Sequence, residues 1–350
     1  MTDGERQRRP DDSLLVDPIL RGREPEGREV HVALDGATPA PADAVAAEET
    51  FAYGLEVKSR SQWAYARKRF LRHRLAVASL IILVIILGAG LFANQIAPYS
   101  FETQNLDASS QAPTLEGKHY FGTDFLGRDY FSRVVFGIRT SEQVALVVAL
   151  LSTVIGTAIG AIAGFYGGWI DNILMRFTDL ALTLPTLAVL LTAAAFLGQG
   201  KPMRVAIILA LLFWTQLARI VRGSFLSLRE KEFVEAAKAA GAGDLRIIVR
   251  HMLPNVVGPI VVNATLIVGI AIITEAALSF LGFGIQPPNP ALGKLISDGV
   301  SEATPAPGQP SAWWLVTFPG LTIILIVLCI NFIGDGLRDA LDPTQRRTRA

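Results

Sequence analysis

An all-α bundle of membrane-spanning helices is the fold class that three observations on the sequence predict. Of 350 residues, 51% are hydrophobic and only 18% are charged, whereas a soluble chain carries nearer a quarter charged residues. Mean hydropathy is +0.40. The apolar residues also stand in unbroken blocks of the roughly 20 residues that a hydrocarbon core of about 30 Å requires. Within lipid the backbone must satisfy its own polar groups, so these blocks are helices. A formal net charge of +1 excludes a basic nucleic-acid binder. One cysteine, Cys329, leaves no internal disulfide framework and no Cys-rich metal cluster.

Six spans are predicted. Residues 1–57 hold 13 acidic and six basic side chains with no sustained periodicity, and read as a disordered acidic cytoplasmic extension without an apolar leader. A basic juxtamembrane segment, 58–74, precedes the first span, 75–97, an uncleaved signal-anchor. Residues 98–142 form an extracytoplasmic loop. At its end Phe131, Val134, Val135 and Ile138 share a helical face, which suits an interfacial amphipathic helix or one packed on protein. The second span, 143–166, carries Gly156, Gly160 and Gly164 at four-residue spacing. That stripe allows close helix approach, although glycine is common in membrane helices generally. The third span, 180–197, contains Pro185, and the fourth starts near Val205 and meets its first charge at Arg219. Pro259 and Pro319 lie inside the fifth, 256–281, and the sixth, 313–333. The core runs over 143–343, and 344–350 form a cytoplasmic tail.

Orientation follows from lysine and arginine, which cytoplasmic loops retain. With the N-terminus inside, the inner segments hold 19 of these residues and the outer ones seven. Both termini are therefore expected in the cytoplasm.

The stretch 230–255, between spans four and five, is expected to form a cytoplasmic helical hairpin. Phe233, Ala236, Ala237 and Ala240 share one face of its first helix, and Leu245, Ile248, Val249 and Met252 one face of its second. Gly241 and Gly243 separate the two, Asp244 is placed to cap the second, and Pro254 is expected to stop it. A hairpin with a small-residue face can dock closely into a groove on a partner.

Glu235, Ala236, Ala237, Gly241, Leu253 and Pro254 reproduce the EAA loop of permease subunits of bacterial ATP-binding-cassette importers. His251, two residues before Leu253, resembles the form found in the peptide and nickel branch. His119 to Arg133, containing Phe121, Gly122, Thr123, Asp124, Gly127, Arg128 and Asp129, resembles the FGTDxxGRD segment of that branch's C-type permeases. Glu275 to Gly284 resembles the end of their fifth span. The resemblance covers residues 67–343.

The resemblance implies a type I importer permease with the MetI-like fold, in the bacterial cytoplasmic membrane and without catalysis of its own. Its implied partners are a paired B-type permease, one or two ABC ATPase subunits and an extracytoplasmic binding protein. The cargo would be a dipeptide, a longer peptide, nickel or another small solute. No cofactor is expected in this chain, ATP and magnesium belonging to the ATPase partners. Glu235 would orient the coupling helix on the ATPase, Ala236 and Ala237 would permit close approach, Gly241 would make the turn, and His251 to Pro254 would anchor the loop.

Other candidates are weaker. Glu275 is the one carboxylate well inside an apolar run, and it is either functional or a hydrogen-bonded structural group. Lys201 follows Gly200 but precedes Pro202, so no phosphate loop is formed. His31, His73, His119 and His251 are dispersed without metal-ligand spacing. A secondary transporter would need coupling carboxylates in broken midplane helices, and a membrane scaffold would not need six kinked spans.

Overall fold

The computed structural model describes residues 62–197, 200–304 and 311–341, and the helices of these residues form a bundle with no strand among them. The acidic extension 1–57 and the tail 344–350 lie outside the described residues. A short helix α1 (Gln62–Phe70) leads into α2 (Arg74–Leu91), whose start is capped by His73 Nδ1 accepting from the Ala76 amide at 3.1 Å. The first span ends at Leu91, six residues short of the predicted Ala97, and a single turn, Ala93–Ile96, follows.

The second span begins far earlier than its hydropathy suggests. Helix α3 (Tyr130–Tyr166) is continuous for 37 residues, about 56 Å at 1.5 Å per residue. The residues expected to form a helix, either interfacial or packed on protein, are its opening turns, and the second alternative holds. Val134, Val135 and Ile138 are buried against protein. Arg133 is buried too and pairs with Asp124 instead of reaching headgroup level.

The third span is two helices, α4 (Gly168–Thr183) and α5 (Thr186–Leu197), bent by 85° at the break. Pro185 sits in that break because it cannot donate to the preceding turn and forces the residue before it into extended backbone, as Leu184 shows with ψ 130°. Helix α6 (Pro202–Arg229) runs ten residues beyond Arg219. Then come α7 (Glu232–Ala239), α8 (Leu253–Phe280), α9 (Leu292–Ala303) and α10 (Trp314–Leu341). By length and composition five helices can cross a membrane, and six if the bent pair counts as one. Helix α9, in the connection between spans five and six, was not anticipated.

The longest seam joins α3 to α6, and it is the glycine stripe. A Cβ at Gly156 would lie 2.7 Å from the Trp214 carbonyl oxygen, one at Gly160 2.4 Å from that of Ala218, and one at Gly164 2.5 Å from Phe225 Cβ. The backbones approach as closely as hydrogen-only side chains permit, which in membranes supplies packing where apolar burial gives no advantage. Helix α8 packs on α3 and α10, and α10 on α2. The α10–α2 contact is tight, with a Gly336 Cβ position 2.4 Å from Ala76 Cβ. The outward faces of α2, including Ile81, Val84 and Ile85, stay exposed, as spans facing lipid do.

Candidate coupling loop and outer clamp

Two polar assemblies occupy opposite ends of the bundle. At one end, the hairpin predicted over 230–255 is present with modified geometry. Helix α7 closes through a double backbone cap. The Ala242 amide donates to Ala237 O at 3.0 Å and the Gly241 amide to Lys238 O at 2.9 Å, with Gly241 at φ +79°. Only a residue without Cβ adopts that conformation freely, so Gly241 ends the helix as expected.

The second arm departs from expectation. Asp244 does not cap it: Gly243 occupies the cap position, and the exposed Asp244 carboxylate acts electrostatically on the Tyr166 hydroxyl at the end of α3. Residues Ile247–Met252 form a wide π turn that continues into α8, so Pro254 opens that helix instead of stopping the arm. The π register relieves the clash and the lost amide that proline imposes on an α-helix. It also rotates the buried face. Ile247 and Met252, five residues apart, are fully buried, while Leu245 and Val249 are 74% and 53% exposed.

On α7 the buried side chain is Val234, with Ala237 packed partly inward; Phe233, Glu235, Ala236 and Ala240 are exposed. Ala237 therefore faces the bundle more than any partner, and the accessible surface of the hairpin is Phe233, Ala236, Leu245 and Val249. His251 and Leu253 are half-buried at the junction with α8, and Asn255 Nδ2 donates to His251 O at 2.7 Å.

The end of α3 is held from several sides. Arg229 at the end of α6 reaches the carbonyls of Phe165 and Tyr166 at 3.4 and 3.5 Å. Lys238 of α7 lies 5.7 Å over the Phe165 ring. Cations suit the negative end of the helix dipole. Nearby, Arg222 makes a bidentate pair with Asp171, and Arg219 pairs with Asp179, tying α6 to α4. The hairpin thus touches the end of α3, which the glycine seam joins to α6.

At the other end, the segment from Phe121 to Asp129 is a knot. The Asp124 carboxylate accepts from the amides of Leu126 (3.0 Å) and Arg128 (2.9 Å), from Arg128 Nε at 2.7 Å, and from Arg133. Asp129 caps α3, accepting from the Ser132 amide at 2.8 Å, and also binds His119 Nδ1 at 2.9 Å. Gly122 and Gly127 have φ +74° and +70°, and a Cβ on Gly127 would lie 1.7 Å from Asn105 O. The Thr123 carbonyl accepts from Trp314 Nε1 at 3.1 Å, and Phe121 stacks on Phe318 at 4.0 Å, so the knot clamps the start of α10 to the start of α3. Tyr130 adds bonds to Leu295 O (3.1 Å) and Leu315 O (2.6 Å).

Trp314 and Tyr130 escaped the sequence reading because their partners lie up to 191 residues away. Glu275 is fully buried beside the clamp. It accepts from Ser141 Oγ of α3 at 2.9 Å and from Ser279 Oγ at 2.7 Å, while Ser279 Oγ accepts from the Ile285 amide at 3.0 Å. Both carboxylate oxygens therefore have hydroxyl donors, which fits a group that pins α8 to α3.

Comparison with known proteins places this architecture. Residues 156–347 match the family described as the binding-protein-dependent transport system inner membrane component, and residues 61–113 match the N-terminal TM domain of oligopeptide transport permease C. The chain belongs to this permease family. It is 43% identical over 298 residues to the oligopeptide transport system permease protein OppC of Escherichia coli (strain K12), covering 85% of this chain and 96% of that protein. The dipeptide transport system permease protein DppC of Alkalihalophilus pseudofirmus is 42% identical over 289 residues, 82% and 91% of the two chains. OppC of Mycobacterium tuberculosis (strain ATCC 25618 / H37Rv) is 41% identical over 283 residues, 81% and 94%.

Proposed function

We propose that this chain is the C-type permease subunit of an ATP-driven importer that carries peptides into the cytoplasm. The names of its relatives support peptide cargo over nickel. The observation that carries the coupling role is the hairpin itself: Phe233 and Ala236, with Leu245 and Val249, are exposed apolar side chains on an arm that touches the end of α3 through Lys238 over the Phe165 ring. Apolar side chains at a membrane protein's polar end call for a protein partner.

In this reading the partner is an ABC ATPase, one or two of which bind ATP and magnesium. Glu235 contacts it, Ala236 permits close approach, Gly241 sets the turn, and His251, Leu253 and Pro254 anchor the arm to α8. Closure of the ATPase pair pushes the hairpin, α3 and α6 move as a unit, and the bundle exchanges between two arrangements, with the break at Pro185 as a place for it to flex. A B-type permease supplies the other half of the path, and an extracytoplasmic binding protein delivers peptide at the clamp end. The hairpin end and both termini are cytoplasmic, as the 19 against seven basic residues support.

The test is uptake of labelled peptide into vesicles carrying both permeases and the binding protein, with and without the ATPase subunits. Uptake that requires the ATPase and ATP is expected; uptake that persists without them would mean a secondary transporter.

A further inference from the structure

The geometry points to a carboxylate-binding station at the hairpin end of the transport path, with Arg338 as the cation and the C-terminal carboxylate of a peptide as the ligand; this rests on the peptide-importer reading. A cleft of 580 Å³ opens among α6, α8 and α10, lined by Gln216, Ile220, Pro259, Val262, Asn263 and Arg338. That volume lies within the ~300–1,000 Å³ of small-ligand sites.

The cleft's polar groups are unspent. Among the described residues Arg338 has no ion-pair partner within 4 Å, whereas Arg222 and Arg219, on the same helix as Gln216, are paired with Asp171 and Asp179. Guanidinium cannot shed its charge, and Arg338, exposed in the last turn of α10, carries it on the wall of the cleft. Asn263 spends Nδ2 on its own helix, at 2.9 Å from Pro259 O, and keeps Oδ1 as an acceptor. No bond to the Gln216 side chain exists among the described residues. A lipid phosphate would need the cation alone. A peptide uses all of it: carboxylate on Arg338, backbone amides on Gln216 and Asn263, apolar side chains on Ile220 and Val262.

The experiment uses the complete importer in proteoliposomes with two tripeptides that differ only in a free carboxylate or an amide at the C-terminus. Uptake by the Arg338→Gln complex is expressed relative to the unmodified complex for each peptide, which cancels the binding protein's own preference. The carboxylate peptide is expected to fall roughly tenfold, the scale of a charge-assisted hydrogen bond, and the amide less than twofold. Arg338→Lys should recover part of the loss, ATP turnover should hold, and neutral and anionic vesicles should agree. Equal loss for both peptides, no loss for either, or a defect confined to anionic vesicles overturns the proposal, the last by making lipid the ligand. An unmodified complex that moves neither peptide would overturn the peptide-importer reading instead.

Discussion

Replacing Gly160 by alanine tests the α3–α6 seam with one methyl group. The new Cβ would stand 2.4 Å from the Ala218 oxygen, 2.8 Å from Val221 Cβ and 3.0 Å from the Arg222 amide nitrogen. Two of these are backbone atoms that no rotamer can remove. Helix α6 must withdraw by about 1 Å, a gap that forfeits a quarter to a half of each dispersion contact along the seam. Overpacking of this kind costs ~1–3 kcal/mol, and alanine's helix propensity returns ~1 kcal/mol. The net expectation is a loss of up to about 2 kcal/mol. Gly223→Ala on α6 is the control, because a Cβ there meets nothing within 4 Å; it should be neutral or stabilise by up to ~1 kcal/mol. Unfolding of the two variants in detergent micelles, by heat or by added SDS, should shift in opposite directions. If Gly160→Ala proves as harmless as Gly223→Ala, the close-packed seam is not what holds these helices together.

Asp124→Asn should loosen the clamp by about 3 kcal/mol, because it leaves the buried Arg133 without its counter-charge; protease cleavage within residues 98–128 should accelerate. Tyr130→Phe removes the one hydroxyl proton shared between Leu315 O at 2.6 Å and Leu295 O at 3.1 Å, and should lower thermal stability by about 1 kcal/mol, since Leu315 O faces Pro319, which has no amide to replace it. Burial pushes the Glu302 carboxyl above its ordinary range, Asp124 and Asp298 push the same way, and the Ser110 hydrogen bond and Arg128 oppose them. A raised carboxyl favours the protonated folded form. The packing around Glu302 should therefore be most stable below the ordinary carboxylate value and lose stability as pH rises through the raised one, while the Ser110 hydroxyl, donating to Glu302 at 3.1 Å, favours the ionised form and offsets part of that loss. Amide exchange around Ser110 should quicken over that window, and Glu302→Gln should flatten the dependence.

Apolar block length located the spans because lipid imposes it directly, and the glycines at 156, 160 and 164 announced a seam because their spacing is that of one helix face. A helical face at 131–138 was legible, but its continuity with the second span and its cap at Asp129 were not, for a definite reason. Asp129, Ser132 and Arg133 look like loop residues until the Asp124 and His119 that satisfy them are known. Helix α9 hid because only Leu292, Gly293, Leu295 and Gly299 of its 12 residues are buried, against helices far away in sequence. In the hairpin, Gly241 was read correctly from backbone chemistry, whereas the buried face of the second arm was not. A period of 3.6 pairs Leu245 with Ile248 and Met252, and the π turn pairs Ile247 with Met252 instead. The Arg338 cleft draws its walls from three helices, and no local pattern signals it.

If the hairpin transmits ATPase motion to the bundle, Gly241→Pro should break that transmission at a single bond. Proline cannot adopt φ +79° and removes the amide that donates to Lys238 O. Gly243→Ala, at φ −69° with nothing within 4 Å of its new Cβ, is the matched control. The measurement is peptide uptake and ATP turnover recorded on the same proteoliposomes at equal subunit content. Gly243→Ala is expected to keep the ratio of peptide moved to ATP consumed, and Gly241→Pro to lower it at least tenfold. An unchanged ratio for Gly241→Pro would contradict transmission through the hairpin.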